Sequence, residues 1–298
     1  MSRVSIELGV FMSRSCGKKT NTLLVGRKLG PDIFKVDSEM VWRYARAVND
    51  DNVWYSSGVN GGGVVAPPLF GIVPAMRVLR KAIANDTLPL PVDQTVHGEH
   101  EMTFISPIRP GDVLHTDGRV CTTEKRSSGT TVNIELITSS CDGTPRLRQL
   151  LTAFVRDNVG TQSPKFTTKV GEPPLVESAI QVGEDQSINY AKASFTEGIS
   201  VHEDHEAARE LGYRTHFLQG QCTIAFATKV IVDNLAGGNP TRLFSIKVRL
   251  SQVVYPGDVL TTRVWPGNSP GKFEFETVKR DNTLVLSNGT AGIEMIED

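Results

Sequence analysis

The stretch YAKASFTEGISVHEDHEAARELGYRTHFLQGQCT at residues 190–223 places a carboxylate, Glu197, five residues before a histidine, His202. A polar, helix-like run and a Gly-Tyr turn follow, and Gly220 then opens an apolar segment that is typical of a buried helix. Carboxylates and histidines transfer protons near neutral pH, and backbone N–H groups at a helix start stabilise oxyanions. The stretch therefore favours proton-transfer chemistry, although the same pair of residues is also common in solvated loops.

The sequence around this stretch repeats an earlier part of the chain. Two pairs of segments recur at one spacing, 146 residues, and a third pair recurs at 149. The pairs are YARA at 44–47 with YAKA at 190–193, PGDVL at 110–114 with PGDVL at 256–260, and LFG at 69–71 with LQG at 218–220. Two matches at one spacing indicate an internal duplication, with about three residues inserted between the anchors.

Both halves predict the same elements: a short helix, a polar loop, a long buried helix and a meander of antiparallel strands. In the first half Ser38 is expected to N-cap the short helix, and residues 69–83 form the buried helix, with Pro74 near its start. Short strand-like runs precede them at 23–25 and 33–36. The other strands are predicted at 97–105, 112–122, 130–138 and 147–155, and again at 243–250, 259–265, 273–278 and 290–296.

This pattern predicts an α+β fold in which a curved antiparallel sheet wraps one long helix, and the whole arrangement is duplicated. Two such sheets can join edge to edge, which leaves few strand edges open. We expect an N-terminal unit at 1–157 and a C-terminal unit at 181–298. Residues 158–180, with three prolines and few large apolar side chains, are expected to form a linker.

Composition excludes several classes of function. The 298 residues carry a net charge of −1 without a dense basic stripe, so nucleic-acid binding is not expected. No run of about 18 apolar residues is present, which argues against a membrane span. The first 20 residues lack a secretory signal, and the last three, Ile-Glu-Asp, are not a peroxisomal one. The four scattered cysteines favour free thiols in a reducing compartment, and we expect a cytoplasmic protein. The glycine-rich residues 58–63 are expected to form a surface loop, since no GK[ST] follows them.

The pattern resembles the MaoC-like, or R-specific enoyl-CoA hydratase 2, group of hot-dog proteins in its tandem double hot-dog form. The second half resembles the hydratase motif, with Tyr190, a carboxylate at Glu197 and then His202. The downstream block of that motif is matched by Asp204, Ala208, Gly212, Tyr213 and LQGQCT at 218–223. The first half resembles the non-catalytic, substrate-binding copy, with Asp50, Asn52 and Tyr55, where tyrosine stands in place of histidine.

The resemblance implies a division of roles among these residues. The aspartate and histidine of the family hold a water between them, and a backbone N–H at the helix start receives the thioester oxygen. By this resemblance Glu197, His202 and Gly220 are the candidate catalytic residues. The candidate substrate-binding residues are Asp50, Asn52, Tyr55, Gln219 and His216.

Four positions depart from the family pattern. Glu197 replaces its aspartate with a carboxylate one methylene longer, and Ile199 replaces its asparagine. Gln219 stands where histidine is frequent, and His216 where proline is frequent. These changes favour a specialised substrate, such as a branched or biosynthetic acyl chain.

Simpler roles remain open for several of these residues. Asp50 and Asn52 could cap backbone groups, Tyr55 could be a core aromatic, and His216 could simply pack. His202, Asp204 and His205 match no familiar zinc motif, and we expect neither a metal nor a cofactor.

The leading hypothesis is hydration or dehydration at the α,β position of an acyl thioester carried on CoA or an acyl carrier protein. One alternative is a non-catalytic subunit that binds the thioester, which the same departures favour. A weaker alternative is a thioesterase, because hot-dog folds also host that activity. The partner is thus an acyl thioester, and a homodimer is possible.

Overall fold

A computed structural model of the chain describes residues 24–59, 62–157, 168–169, 171–198 and 200–295. Predictions that concern Cys16, Leu23, Ile199 and Ile296 lie outside these residues. The described helices are α1 (Ser38–Ala47), α2 (Ile72–Ala84), α3 (Gln186–Ser194), α4 (His205–Glu210) and α5 (Gly220–Leu235). The strands are β1 (Lys28–Lys35), β2 (Thr95–Phe104), β3 (Val113–Arg126), β4 (Gly129–Ser140), β5 (Pro145–Arg156), β6 (Val176–Gln181), β7 (Leu243–Leu250), β8 (Val259–Pro266), β9 (Lys272–Lys279) and β10 (Leu284–Ile293).

All ten strands form one antiparallel sheet in the order β1-β3-β4-β5-β2-β7-β10-β9-β8-β6. Each unit contributes five strands, and equivalent strands of the two units lie at the same distance from opposite ends of the sheet. The units join where β2 pairs with β7, and two ion pairs cross this seam: Glu99 with Arg249 at 3.1 Å and Glu101 with Lys247 at 3.2 Å. The expected edge-to-edge double hot-dog architecture is therefore confirmed.

The two long helices supply much of the apolar core. The buried face of α2 includes Ile72, Val78 and Leu79, and most of α5 is buried. Pro74 is the third residue of α2, within the first turn, where a missing N–H removes no intrahelical hydrogen bond. No helix of the described residues is both long and apolar enough to cross a membrane.

The duplication is visible in matched hydrogen bonds. The glycine of each PGD turn has a positive φ, +93° at Gly111 and +80° at Gly257, which glycine adopts at little cost. The turn then binds the segment before the short helix in the same way in both units. The equivalent bonds are Val36 N to Asp112 O (2.9 Å) with Val182 N to Asp258 O (2.9 Å), and Gly111 N to Val36 O (2.8 Å) with Gly257 N to Val182 O (3.1 Å).

The two short helices meet at the centre of the molecule. Tyr44 of α1 and Tyr190 of α3 are both buried, and their ring centroids lie 5.7 Å apart. The Gln186 side chain of α3 donates to the carbonyl of Ala47 at 2.6 Å. The repeated tyrosines are thus a contact between the units.

Three details differ from the sequence predictions. Asp37, not Ser38, caps α1, because its extended backbone lets the carboxylate accept from the Met40 N–H at 2.8 Å. Val25 lies in a turn, not a strand, and the first strand is the longer β1. Strand β6 begins at Val176, within the expected linker, because its alternating side chains pair with β8.

Candidate active site

The polar loop of the first unit begins at a left-handed residue after α1. Asn49 has a φ of +54°, and the next N–H, that of Asp50, donates to the Ala45 carbonyl at 2.9 Å. This turn buries the Asp50 side chain, which is 7% exposed. Asn52 accepts from the Trp54 N–H at 3.1 Å and donates to the Gly238 carbonyl at 2.7 Å. The expected capping role of Asn52 is therefore present, and its amide also reaches the other unit.

The loop of the second unit makes the same turn around a different side chain. Phe195 has a φ of +56°, and the Thr196 N–H donates to the Ala191 carbonyl at 2.9 Å. Thr196 is 5% exposed, and its hydroxyl lies 2.8 Å from that of Ser194. Thr196 is thus the structural equivalent of Asp50.

Glu197 consequently occupies the position equivalent to Asp51, one residue beyond the buried site. Both residues are exposed, and the main-chain carbonyl of Glu197 accepts from Arg80 at 2.9 Å, whereas its carboxylate has no hydrogen-bond partner among the described residues. Glu197 is therefore not the equivalent of the buried Asp50, and its assignment to the position of the family's aspartate stays a prediction. The second-unit loop has one extra residue between Tyr190 and His202 relative to Tyr44 and Tyr55.

His202 is held by the segment that leads into α5. Its Nδ1 lies 2.8 Å from the Phe217 carbonyl, and its ring meets the Phe217 ring edge-on at 4.7 Å. A carbonyl only accepts, so Nδ1 carries the proton and Nε2 is left as a base. Burial lowers the pKa of His202 to about 4, the Phe217 carbonyl opposes this, and nearby His216 lowers it slightly further. The imidazole is therefore neutral near pH 7.

Gly220 starts α5 only three residues after Phe217, so the contact of His202 with Phe217 keeps it near this helix start. The Gly220 N–H belongs to the first turn, where such groups lack acceptors within the helix. A Cβ at this position would lie 2.7 Å from Leu250 Cδ2, so a larger residue would require the Leu250 side chain to shift. Gln219 donates to the Ser187 carbonyl at 3.0 Å, while its buried Oε1 has no partner among the described residues.

Two further histidines lie close to His202 in the chain. His216 has a buried Nε2 without a partner in the described part of the chain, and its Nδ1 lies 3.4 Å from the Thr215 hydroxyl. The same hydroxyl lies 2.8 Å from Nδ1 of His205. No metal-binding group of three or more His, Cys, Asp or Glu residues is found among the described residues.

The buried carboxylate of the first unit faces a lysine of the second. Lys229 of α5 lies 3.6 Å from Asp50, 3.3 Å from Asp51 and 2.8 Å from Asp233. Burial raises the pKa of Asp50 to about 6, even though Lys229 opposes the shift. Asp50 is thus partly protonated near neutral pH.

Two surface clefts lie close to the first-unit loop or to the seam. One, of about 380 Å³, is lined by Ser38, Glu39, Trp42, Tyr55, Ser56 and Val64. The other, of about 80 Å³, lies between residues 65–68, 104–108 and 240–244. Neither lining includes Glu197 or His202. The structure therefore joins His202 to the segment that leads into Gly220, and it joins Asp50 and Asn52 to residues of α5 and its C-terminal end.

Comparison with known proteins relates both halves of the chain to dehydratase domains. Residues 165–287 match the MaoC like domain, and residues 23–143 match the FAS1-like dehydratase domain region. The second half of the chain is a MaoC-like domain. Among solved structures, a MaoC-like dehydratase from Phytophthora capsici superposes with a TM-score of 0.78 at 19% identity, covering 92% of this chain and 97% of that one. A Mycobacterium tuberculosis protein described as a double hot-dog fold gives a TM-score of 0.59.

Two curated relatives are named for related activities. Probable enoyl-CoA hydratase 2 of Dictyostelium discoideum is 28% identical over 211 residues, which cover 68% of this chain and 71% of that protein. Peroxisomal multifunctional enzyme type 2 of Drosophila melanogaster is 25% identical over 235 residues. The matched region covers 74% of this chain and 38% of the fly enzyme, so the chain spans well under half of that relative.

Three residues of this region were not predicted from the sequence: Thr196, Arg80 and Lys229. A usable signal was present for each. The spacing of 146 maps Asp50 onto position 196, and the spacing of 149 between the helix starts maps Arg80 onto Lys229.

Proposed function

We propose that this protein adds water to, or removes it from, the α,β position of an acyl thioester carried on CoA or an acyl carrier protein. Relatives named enoyl-CoA hydratase 2 and 3-hydroxyacyl-thioester dehydratase Y support this class of reaction. The single observation that carries the proposal is the Nδ1 contact of His202 with Phe217, three residues before the Gly220 helix start. It supports a neutral base beside an N–H suited to an oxyanion.

In the hydration direction, Nε2 of His202 takes a proton from water as the oxygen bonds to the β-carbon. The electrons of the double bond then move toward the thioester oxygen, which the Gly220 N–H stabilises together with the positive end of α5. The α-carbon next gains a proton from an acid, the acid regains a proton from solvent, and the proton held by His202 returns to solvent. Dehydration follows the same steps in reverse.

Glu197 is proposed as the acid of this scheme, as its place in the motif suggests. Its carboxylate is exposed, and groups in water interact more weakly with a reacting centre than buried groups do. We therefore expect Glu197 to contribute less to the rate than His202. The remaining proposed contacts with substrate are Asp50, Asn52, Tyr55, Gln219 and His216, of which Tyr55 also lines the larger cleft.

The test is steady-state turnover of a panel of enoyl-CoA and 3-hydroxyacyl-CoA thioesters by wild type and His202→Ala. We expect at least a hundredfold loss of kcat, in the range of general acid–base contributions. His205→Ala is the matched control, because this histidine of the same segment is exposed, hydrogen-bonds to Thr215 and should not be needed for turnover. Unchanged turnover in His202→Ala would refute the assignment.

A non-catalytic thioester-binding role is the second candidate. It is favoured by Thr196, which puts a hydroxyl where the first unit has a buried carboxylate. Tight binding of one thioester without turnover, measured by calorimetry across the same panel, would select this candidate over the hydratase.

Location and assembly are proposals of the same kind. We propose a cytoplasmic homodimer, which imaging of a fluorescent fusion and light scattering of the purified protein can each contradict. Some relatives are named as peroxisomal proteins, so fluorescence in peroxisomes is the main alternative result of the imaging.

A further inference from the structure

Each of the two long helices carries a cationic side chain at an equivalent position. Arg80 lies nine residues after Gly71 at the start of α2, and Lys229 lies nine residues after Gly220 in α5. Each cation reaches the polar loop of the opposite unit and not that of its own unit. The duplication therefore contains a crossed pair of contacts.

Arg80 binds the main chain of the loop that carries His202. Its Nη1 donates to the Phe195 carbonyl at 2.6 Å, and its Nη2 donates to the Glu197 carbonyl at 2.9 Å. These two carbonyls flank Thr196, so one guanidinium holds both ends of the turn. The planar fork of arginine suits two acceptors at fixed spacing, which a single ammonium charge does not impose.

The loop contains backbone conformations that need outside support. Phe195 is left-handed although it is not glycine, and Gly198 has a φ of +86°. Non-glycine residues in this region are strained and persist where their surroundings hold them. Besides Arg80, the first unit contributes Phe34, whose ring meets that of Phe195 edge-on at 5.9 Å.

Lys229 makes the reciprocal contact on the first-unit loop. It approaches the carboxylates of Asp50 and Asp51, and Asn52 of the same loop donates to Gly238, beyond the end of α5. Both loops are thus anchored on the helix or helix end of the other unit.

We propose that Arg80 is a positioning residue for His202: by clamping the carbonyls at 195 and 197, it sets where the histidine lies relative to the α5 helix start. The kinetic part of this inference rests on the proposed hydratase function, whereas the clamp itself does not. Loss of the clamp lets residues 195–202 move, and displacements of about 1 Å in such a site cost about a hundredfold in rate.

The experiment compares wild type, Arg80→Ala, Arg80→Lys and a matched arginine control, Arg43→Ala. Arg43 is exposed and pairs with Glu39 one helical turn away, so its loss should change neither kcat nor the exchange of amides in the two loops. We expect Arg80→Ala to lower kcat about tenfold to a hundredfold, with KM changed less than about threefold, because substrate contacts remain. The kcat of Arg80→Lys should lie between those of wild type and Arg80→Ala. Millimolar guanidinium should restore part of the kcat that Arg80→Ala loses.

Hydrogen exchange measured on the same proteins separates the clamp from the chemistry. Amides at residues 195–203 should exchange faster in Arg80→Ala, while those at 50–56 should not change. Lys229→Ala should show the reverse pattern. Faster exchange in both loops of either variant would indicate general destabilisation and would overturn the inference.

The remaining outcomes are also decisive. Wild-type kcat in Arg80→Ala overturns the positioning role, and unchanged exchange at 195–203 overturns the clamp. If wild type turns over no thioester, the proposed function fails, but the exchange data still decide whether the clamp exists. If Arg80→Ala does not fold, Arg80→Lys and its exchange pattern provide the same comparison.

Discussion

Replacing Asp50 by asparagine removes a buried carboxylate for which two opposing effects are present. Burial favours the protonated form, whereas Lys229 at 3.6 Å favours the ionised form. Burial is the larger effect and raises the pKa from its ordinary value of 3.8 to about 6. The folded protein therefore holds this proton more tightly than the unfolded chain does.

The magnitude follows from the pKa difference. Between pH 3.8 and about 6 the unfolded chain releases the proton while the folded protein retains it. The contribution of Asp50 to stability is thus fully present below the pKa that its carboxyl has in the unfolded chain. It is lost as the pH rises through the pKa that the carboxyl has in the folded protein. Each tenfold change in proton affinity is worth about 1.4 kcal/mol, so the loss amounts to about 3 kcal/mol. An asparagine side chain cannot titrate. The free energy of unfolding of Asp50→Asn, relative to that of wild type, should therefore increase by about 3 kcal/mol between about pH 4 and pH 7.

The assay is urea unfolding of both proteins at several pH values, followed by tryptophan fluorescence. The quantity compared is the pH dependence of the difference in free energy of unfolding between the variant and wild type. Effects of the substitution that do not depend on pH therefore cancel. Asp51→Asn is the matched control: Asp51 contacts the same lysine but is exposed, and the pKa of its carboxyl is lowered by a backbone hydrogen bond and by Lys229. A difference that does not change with pH would show that Lys229 offsets burial, and a difference that favours wild type at higher pH would show that Lys229 outweighs it; either result would refute the reasoning.

Three further predictions concern the second unit. The pKa of His202 is lowered to about 4, so its neutral form persists into acid, and the acid limb of kcat/KM should lie near pH 4 instead of 6.5. Gly220→Ala should destabilise the protein by about 1–3 kcal/mol in urea unfolding, because the new Cβ meets Leu250, and adding Leu250→Ala should relieve that clash. Glu197→Gln should lower kcat by less than about tenfold, since the carboxylate is exposed, and a loss as large as that of His202→Ala would contradict this.

The sequence predicted the scaffold well because the scaffold rests on repeated local patterns. The PGD turns and the periodic apolar residues of α2 and β7 each depend on a few neighbouring residues, and the structure confirms them. The cap at Asp37 and the strand β6 were missed because each depends on a partner that the local pattern does not reveal. A proline-rich segment gave no sign that its end would pair with β8.

The candidate site was harder to predict because a single added residue shifts it. The spacing between Glu197 and His202 matches the motif, and the prediction therefore assigned the role of the family's carboxylate to Glu197. Local backbone geometry places the extra residue after the left-handed turn, however, and so puts Thr196 in the buried position. Arg80 and Lys229 act on loops more than 100 residues away, and only the folded arrangement shows which loop each one reaches.

The crossed anchoring of the loops has a consequence for how such a gene can be divided. A cut in the connection between β5 and β6 would give two polypeptides, each with a complete hot-dog unit. Each would nevertheless lack the helix that holds its own loop, since Arg80 and Lys229 serve the opposite half. Co-expressed fragments would therefore have to associate before either loop was in place.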